Sequence, residues 1–238
     1  VCGVVGYVSR DAGSEAFRLR DAVGTLSHRG PDENGVWEQG PVGLGHARLS
    51  IIDLSGGQQP MRSPDGRYVL SYNGEIYNFP VLREELERRG ERFVGHSDTE
   101  ILLRLFALQG LDGCLARLRG MFAFAVWDTR EQCLYLARDR LGVKPLVYAE
   151  TPDGFLFASE IAALFSLSPT LSRDPDYPAL DHYLTFQYIP SPMSGFRAVR
   201  KLPPAHAMVV KDGKIQRQWR YWDVDFSRRS DLGFDDAC

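Results

Sequence analysis

The segment from Val4 to Val8 is rich in valine and glycine, a β signal, and Ala16, Leu19, Ala22, Val23 and Leu26 then recur at helical spacing. The chain therefore opens with a strand followed by a helix. Further short apolar runs bounded by Gly, Pro, Asn or Asp predict strands at Gly43–Leu49, Tyr68–Tyr72, Phe122–Trp127, Cys133–Ala137 and Phe155–Ala158. Helical spacing returns at Val81, Leu82 and Leu86. It returns again at Ile101, Leu102, Leu105 and Phe106, behind the Ser-x-x-Glu capping signature Ser97-Asp98-Thr99-Glu100. Neighbouring strands joined by short loops favour antiparallel pairing, so the pattern predicts an α+β layered fold rather than a doubly wound parallel sheet. Beyond Asp174 the texture turns Pro-rich, at Gln187–Pro192 and Lys201–Pro204, and residues 174–223 are expected to form a peripheral extension. Phe234–Cys238 resembles the first turn of an amphipathic helix that is then cut off, which reads as a truncated chain.

Composition adds mainly exclusions. With 44% apolar and 25% charged residues and a net charge of −3, the 238-residue chain reads as a soluble protein that fits one large domain. It shows no bias toward nucleic acid or an anionic membrane. No apolar stretch approaches the roughly 20 residues of a membrane-spanning helix, and Val1–Gly6 lacks the layout of a secretory signal. A cytoplasmic location is the expectation. The cysteines Cys2, Cys114, Cys133 and Cys238 form no Cys-x-x-Cys pair and join no histidine cluster, so no metal site is expected. Cys114 and Cys133 lie in apolar runs and read as small core residues.

Cys2 differs. Exposed as the first residue, it would carry a thiol and a free α-amine on one carbon. The thiolate is the attacking species, a free thiol has a pKa of about 8.5, and an α-amine at about 7.7 to 8.0 is close enough to take its proton. Asn73-Gly74 follows a strand, where a side-chain amide and a backbone N–H could converge as an oxyanion hole, worth about 2.7 to 4 kcal/mol per donor. The same dipeptide is equally a strong hairpin-turn signal. Arg48, in an otherwise apolar run, would hold a ligand carboxylate with its planar fork or form an internal ion pair. Asp98, at a predicted helix start, would either serve that helix end or bind an ammonium.

Taken in order, Cys2-Gly3, His28-Arg29-Gly30-Pro31-Asp32, Arg48-Leu49-Ser50-Ile51, Asn73-Gly74-Glu75-Ile76-Tyr77-Asn78 and Ser97-Asp98-Thr99-Glu100 resemble a class II glutamine amidotransferase domain. Gly120–Phe124, Arg138–Leu146 and Ala158–Ile161 continue the resemblance. Gln187–Pro192, Lys201–His206 and Tyr221-Trp222-Asp223 narrow it to the N-terminal half of glutamine-hydrolysing asparagine synthetases. The resemblance implies an N-terminal-nucleophile hydrolase fold, a four-layer αββα sandwich of two antiparallel sheets, over residues 2–223. Residues 224–238 would then begin a linker to a synthetase domain. It further implies Cys2 as nucleophile with its α-amine as base, and Asn73 and the Gly74 N–H as oxyanion donors. Arg48 would hold the α-carboxylate of L-glutamine, Asp98 with Glu75 would hold its α-ammonium, and the backbone around Leu49 and Ile51 would complete the pocket. The Ser-Gly-Gly pyrophosphate loop of the synthetase half is absent from these residues, so ATP and Mg are expected only in that domain, in cis or in trans.

Val1 stands where an initiator Met is expected, and a retained valine would lock the Cys2 amine in a peptide bond. A valine codon read as methionine and later removed reconciles the two. Two other readings stay open: a silent glutamine-binding or docking module with Val1 retained, and the glutaminase domain of a different amidotransferase.

Overall fold

The computed structural model describes residues 1–11, 16–50, 53, 56–227 and 233. Among them are twelve strands and five helices: β1 (Gly3–Ser9), α1 (Leu19–Gly24), β2 (Glu33–Gln39), β3 (Val42–Arg48), β4 (Met61–Arg62), β5 (Tyr68–Ile76), α2 (Phe79–Arg88), α3 (Asp98–Arg117), β6 (Gly120–Asp128), β7 (Cys133–Arg138), β8 (Val147–Glu150), β9 (Gly154–Ala158), α4 (Ile161–Leu167), α5 (Tyr177–Phe186), β10 (Arg200–Lys201), β11 (His206–Lys211) and β12 (Lys214–Arg220). The strands form two six-stranded sheets, ordered β10-β8-β9-β1-β3-β2 and β12-β11-β7-β6-β5-β4. Every ladder is antiparallel.

Three apolar cores separate the layers, and strand alternation explains how one chain fills all three. Val4 and Val8 of β1 join Val42, Leu44, Val69, Trp127, Phe155 and Phe157 between the sheets. Val5 and Tyr7, pointing the other way, pack with Leu19, Val23 and Leu164 of α1 and α4. On the far side Leu70, Tyr72 and Ile76 of β5 meet Leu82, Leu86, Ile101 and Leu105 of α2 and α3. The result is the expected αββα order.

Several elements carry sequence signals that the structure explains in detail. The Ser97 hydroxyl accepts the Glu100 N–H at 3.3 Å, and the Glu100 carboxylate accepts the N–H groups of Val94 and Gly95, so the start of α3 is capped from both sides. Gly110, at φ 67°, kinks α3 where a side chain would be strained. In α2, Leu82 and Leu86 are buried, but Val81, expected on the apolar face, is 57% exposed.

Elements that the pattern did not predict are β2, β4, β8, α4, α5, β10, β11 and β12. β2 and β12 are edge strands whose exposed residues are polar, so neither shows an apolar alternation. α4 is a short apolar run without readable period. The 174–223 segment, expected as a peripheral extension, contains α5 and the β11–β12 hairpin. β11 pairs with β7 from Ala207 to Lys211, so the second sheet continues through it. The helical turn expected at Phe234–Cys238 lies outside the described residues. Among the described residues no helix is long and apolar enough to cross a membrane.

Candidate active site

Cys2 directly precedes β1, and because Val4 and Val8 face the space between the sheets, strand alternation puts Cys2 on that side too. On β3 the same side carries Leu44, His46 and Arg48, and the β1–β3 register, Gly3 opposite Ala47 and Val4 opposite His46, brings Cys2 opposite Arg48. The second sheet contributes β5, where Val69 faces inward and Ser71 and Asn73 follow in phase. Cys2, Arg48 and Asn73 therefore meet at one end of the inter-sheet space. There they line a cavity of about 150 Å³ together with Leu49, Gly74, Glu75 and Asp98. Of the residues assigned from the sequence, Ile51 alone lies outside the described residues. Val1, Gln59, Tyr72, Met121 and Lys144 line the same cavity.

The Cys2 thiol accepts the Leu49 N–H at 3.4 Å and lies 3.7 Å from the Leu49 carbonyl. The Cys2 carbonyl accepts from Arg29 Nε at 3.0 Å, and Arg29 is in turn held by Glu160 at 2.8 Å. Burial raises the Glu160 carboxyl, but the bonds from Arg29 and His28 outweigh it and hold the group below the usual carboxylate range. The turn bearing Arg29 approaches closely because position 30 is glycine: a Cβ there would meet the Ala47 backbone at 2.3 Å. Of the described cysteines Cys2 is partly exposed and Cys114 and Cys133 are buried, with burial pushing both buried thiols up. Among the described cysteines, Cys2 is the one that lines the cavity.

Asn73 is 1% exposed, and its side-chain Nδ2 has no hydrogen-bond partner among the described residues. Asn73 and Gly74 form no hairpin turn. β5 runs unbroken to Ile76 because β6 stays in register with it, Gly74 opposite Phe122 and Ile76 opposite Gly120. The backbone donor arises from strand alternation instead of from a turn. Tyr72 N–H bonds Gln59 Oε1 at 2.6 Å and Ile76 N–H bonds Asp98 Oδ2 at 3.0 Å, both away from β6. The Gly74 N–H, two residues from each, points out of the same edge toward the cavity. A Cβ on Gly74 would sit 2.3 Å from the Met121 carbonyl oxygen, so only glycine fits.

Arg48, 4% exposed, reaches Glu33 at 3.0 Å and the Asp53 carbonyl at 2.6 Å while bordering the cavity. The ion pair that the sequence left open as the alternative to carboxylate binding is thus formed, by a side chain that also borders the cavity. Asp98 accepts from the Tyr72 hydroxyl at 2.7 Å as well as from Ile76. Burial lifts its carboxyl above the usual range against those hydrogen bonds, and neighbouring Glu75 adds to the rise. Burial and Asp98 together keep the Tyr72 hydroxyl protonated as a donor. Sequence reading missed Gln59, Tyr72 and Lys144 as cavity residues; Lys144 was visible only as part of the Arg138–Leu146 motif. Among the described residues no group of three or more His, Cys, Asp or Glu side chains could hold a metal ion.

Comparison with known proteins agrees with this geometry. A family profile described as a glutamine amidotransferase domain matches residues 1–222. The chain is 39% identical to asparagine synthetase (glutamine-hydrolyzing) 3 of Bacillus subtilis, over 100% of this chain and 39% of that protein. To asparagine synthetase (glutamine-hydrolyzing) 1 of the same organism it is 37% identical, over 90% of this chain and 34% of that protein. The chain thus spans well under half the length of these relatives. Among solved structures, glutamine phosphoribosylpyrophosphate amidotransferase of B. subtilis superposes with a TM-score of 0.68 over 93% of this chain and 49% of that one. At 22% identity this likeness shows the fold alone, and it is the N-terminal-nucleophile type expected from the sequence.

Proposed function

The chain belongs to the glutamine amidotransferase domain family, and from that premise we propose that it hydrolyses the side-chain amide of L-glutamine through Cys2. The ammonia would pass to an ATP-dependent synthetase portion of the asparagine synthetase kind, in cis or in trans, in the cytoplasm. The observation that carries this reading is the shared cavity: the accessible thiol of Cys2 faces the same space as a buried Asn73 amide that has no partner among the described residues. A buried donor left unpaired is costly, and an oxyanion formed next to the thiol would satisfy it.

With Cys2 as the first residue, its α-amine takes the thiol proton, directly or through one water. The thiolate attacks the amide carbon of glutamine, a C–S bond forms, and the carbonyl π pair moves onto oxygen. Asn73 Nδ2 and the Gly74 N–H hold that charge. The pair returns, the C–N bond breaks, and the departing nitrogen takes the proton from the α-ammonium to leave as ammonia. Water then cleaves the γ-glutamyl thioester with the amine again as base, releasing glutamate and restoring the thiol. Arg48 holds the substrate α-carboxylate, Asp98 with Glu75 its α-ammonium, and the backbone around Leu49 and Ile51 closes the pocket. ATP and Mg are assigned to the synthetase portion, where they would activate the acceptor.

Ammonia release from glutamine without ATP, measured on protein whose intact mass shows Cys2 as the first residue, tests the reading. Cys2→Ala should abolish release, whereas Cys114→Ala should lower stability more than rate. Protein with Val1 attached should be silent, because an amide nitrogen has no useful basicity. Full-rate hydrolysis with Val1 attached, or by Cys2→Ala, would overturn the proposal.

A further inference from the structure

Lys144 lies in the β7–β8 connection, is 8% exposed, and lines the cavity. Its ammonium has no hydrogen bond or ion pair among the described residues. The carboxylate beside it in sequence is spent on backbone: Asp139 accepts the N–H groups of Leu141, Val143, Lys144 and Phe122 at 2.9–3.2 Å. Arg138 fixes the same loop from the other side through the carbonyls of Gly142, Lys144 and Leu202. The loop is therefore firmly tied, and it places the Lys144 side chain against the cavity. Burying an unpaired ammonium is costly unless an opposite charge arrives to meet it.

The bonding also locates that charge. Asp139 Oδ2 holds the N–H of Lys144 and the N–H of Phe122 together, and Phe122 lies opposite Gly74 in the β5–β6 ladder. Lys144 thus enters the cavity from the sheet that carries Asn73 and Gly74, whereas the substrate carboxylate is assigned to Arg48 on the opposing sheet. We propose that Lys144 is a further catalytic residue, whose ammonium stabilises the negative charge that develops on the glutamine amide oxygen alongside Asn73 and Gly74. The inference rests on the glutaminase reading above and deepens it. A cation placed there interacts with the oxyanion more strongly than with the neutral amide, so its effect belongs to the chemical step.

The test uses protein beginning with Cys2. Lys144→Met keeps most of the side-chain volume and removes the charge, Lys144→Arg keeps the charge, and Lys144→Gln is a second neutral variant should the methionine protein fold poorly. Steady-state glutamine hydrolysis should show kcat lowered about 10- to 100-fold in the neutral variants, the range of a charge-assisted contact, with KM within about twofold. Lys144→Arg should recover most of the rate. An unchanged kcat in the neutral variants, a loss carried by KM, or an arginine variant as slow as the methionine one would overturn the assignment while Cys2-dependent hydrolysis stood. Parent protein unable to release ammonia, or releasing it equally well as Cys2→Ala, would instead sink the glutaminase reading and this inference with it.

Discussion

The space between the two sheets has a dry middle and a polar end, and the same strands line both. In the middle β1, β3 and β5 point Val4, Leu44 and Val69 at one another, with Trp127, Phe155 and Phe157 around them. One or two inward positions further along, the same strands present Cys2, then His46 and Arg48, then Ser71 and Asn73. The pleat is unchanged and only the residue types switch. A site built in this way sits on the most rigid part of the molecule and its aim is set by strand register, not by loops. Buried polar groups demand partners, and the sheets supply them across the gap: Ser71 Oγ donates to the Gly45 carbonyl at 3.0 Å and His46 Nε2 bonds the Tyr72 carbonyl at 3.0 Å. Among the described residues Asn73 Nδ2 has no partner, and it lies beside the cavity, where a substrate could pair with it.

The sharpest way to break this contrast is one substitution at each end. Asn73→Ala should lower kcat for glutamine hydrolysis by about 100- to 1,000-fold, as loss of an oxyanion donor does, with little change in KM. Phe157→Ala in the dry middle should instead cost about 3 to 5 kcal/mol of folding stability and leave KM unchanged. Steady-state kinetics and urea titration of both proteins check the pair. A kinetic defect in Phe157→Ala at temperatures where it is fully folded would show that the two ends are not separable.

His46 sits at the boundary and sharpens the comparison through pH. A carbonyl can only accept, so the proton of the neutral ring is on Nε2, and Nδ1 is a buried lone pair with no partner among the described residues. Burial, aided by the Arg48 charge and opposed by the bond to Tyr72, lowers its pKa to about 4. Because the folded value lies below the unfolded one, the unfolded chain takes up the proton first as pH falls. The associated stability is complete above about pH 6.5, is lost progressively on acidification, and stops falling near pH 4. For this fully buried ring the loss is about 3 kcal/mol. His46→Asn keeps an N–H donor but cannot titrate, so its urea midpoint should fall less between pH 7 and pH 4.5 than the parent's. Equal slopes for the two proteins would assign the acid sensitivity to other groups.

Legibility from sequence divided along the same line. The inner strands β1, β3, β5 and β6 announced themselves because burial on both faces makes their runs apolar, and α3 did so through its cap. Edge strands β2 and β12 did not, since their exposed polar residues erase the alternation. At the site, Cys2, Arg48, Asn73 and Asp98 stood out as chemistry that a plain core would not need, though their convergence depends on a register between sheets that no local pattern encodes. Lys144 was hidden for that reason: its sequence neighbours explain the loop, and only the Asp139 bonds to Phe122 and Lys144 carry it to the cavity. Asn73-Gly74 was a misleading local signal. Its turn propensity is overridden by nine paired positions between β5 and β6.

The smallest effects expected are on binding, where the polar end meets the two charged groups of the substrate. Arg48→Ala and Asp98→Asn should each raise the glutamine KM by roughly 10- to 100-fold with kcat less affected, because charge-assisted contacts of about 1.5 to 3 kcal/mol exist in ground and transition states alike. Asp98 adds a pH signature. Only its carboxylate attracts an ammonium, and burial, with Glu75 nearby, has raised its pKa, so protonation begins at a higher pH than for an ordinary aspartate. KM should therefore rise as pH falls, by at most about tenfold per pH unit for one proton, starting above the ordinary carboxylate range. Asp98→Asn should flatten that limb. Glu75→Gln removes the like charge that helps raise Asp98 and should move the limb to lower pH without erasing it. Kinetics of the three proteins across the acidic range check the set, and a limb that survives in Asp98→Asn would mean that another group carries the ammonium.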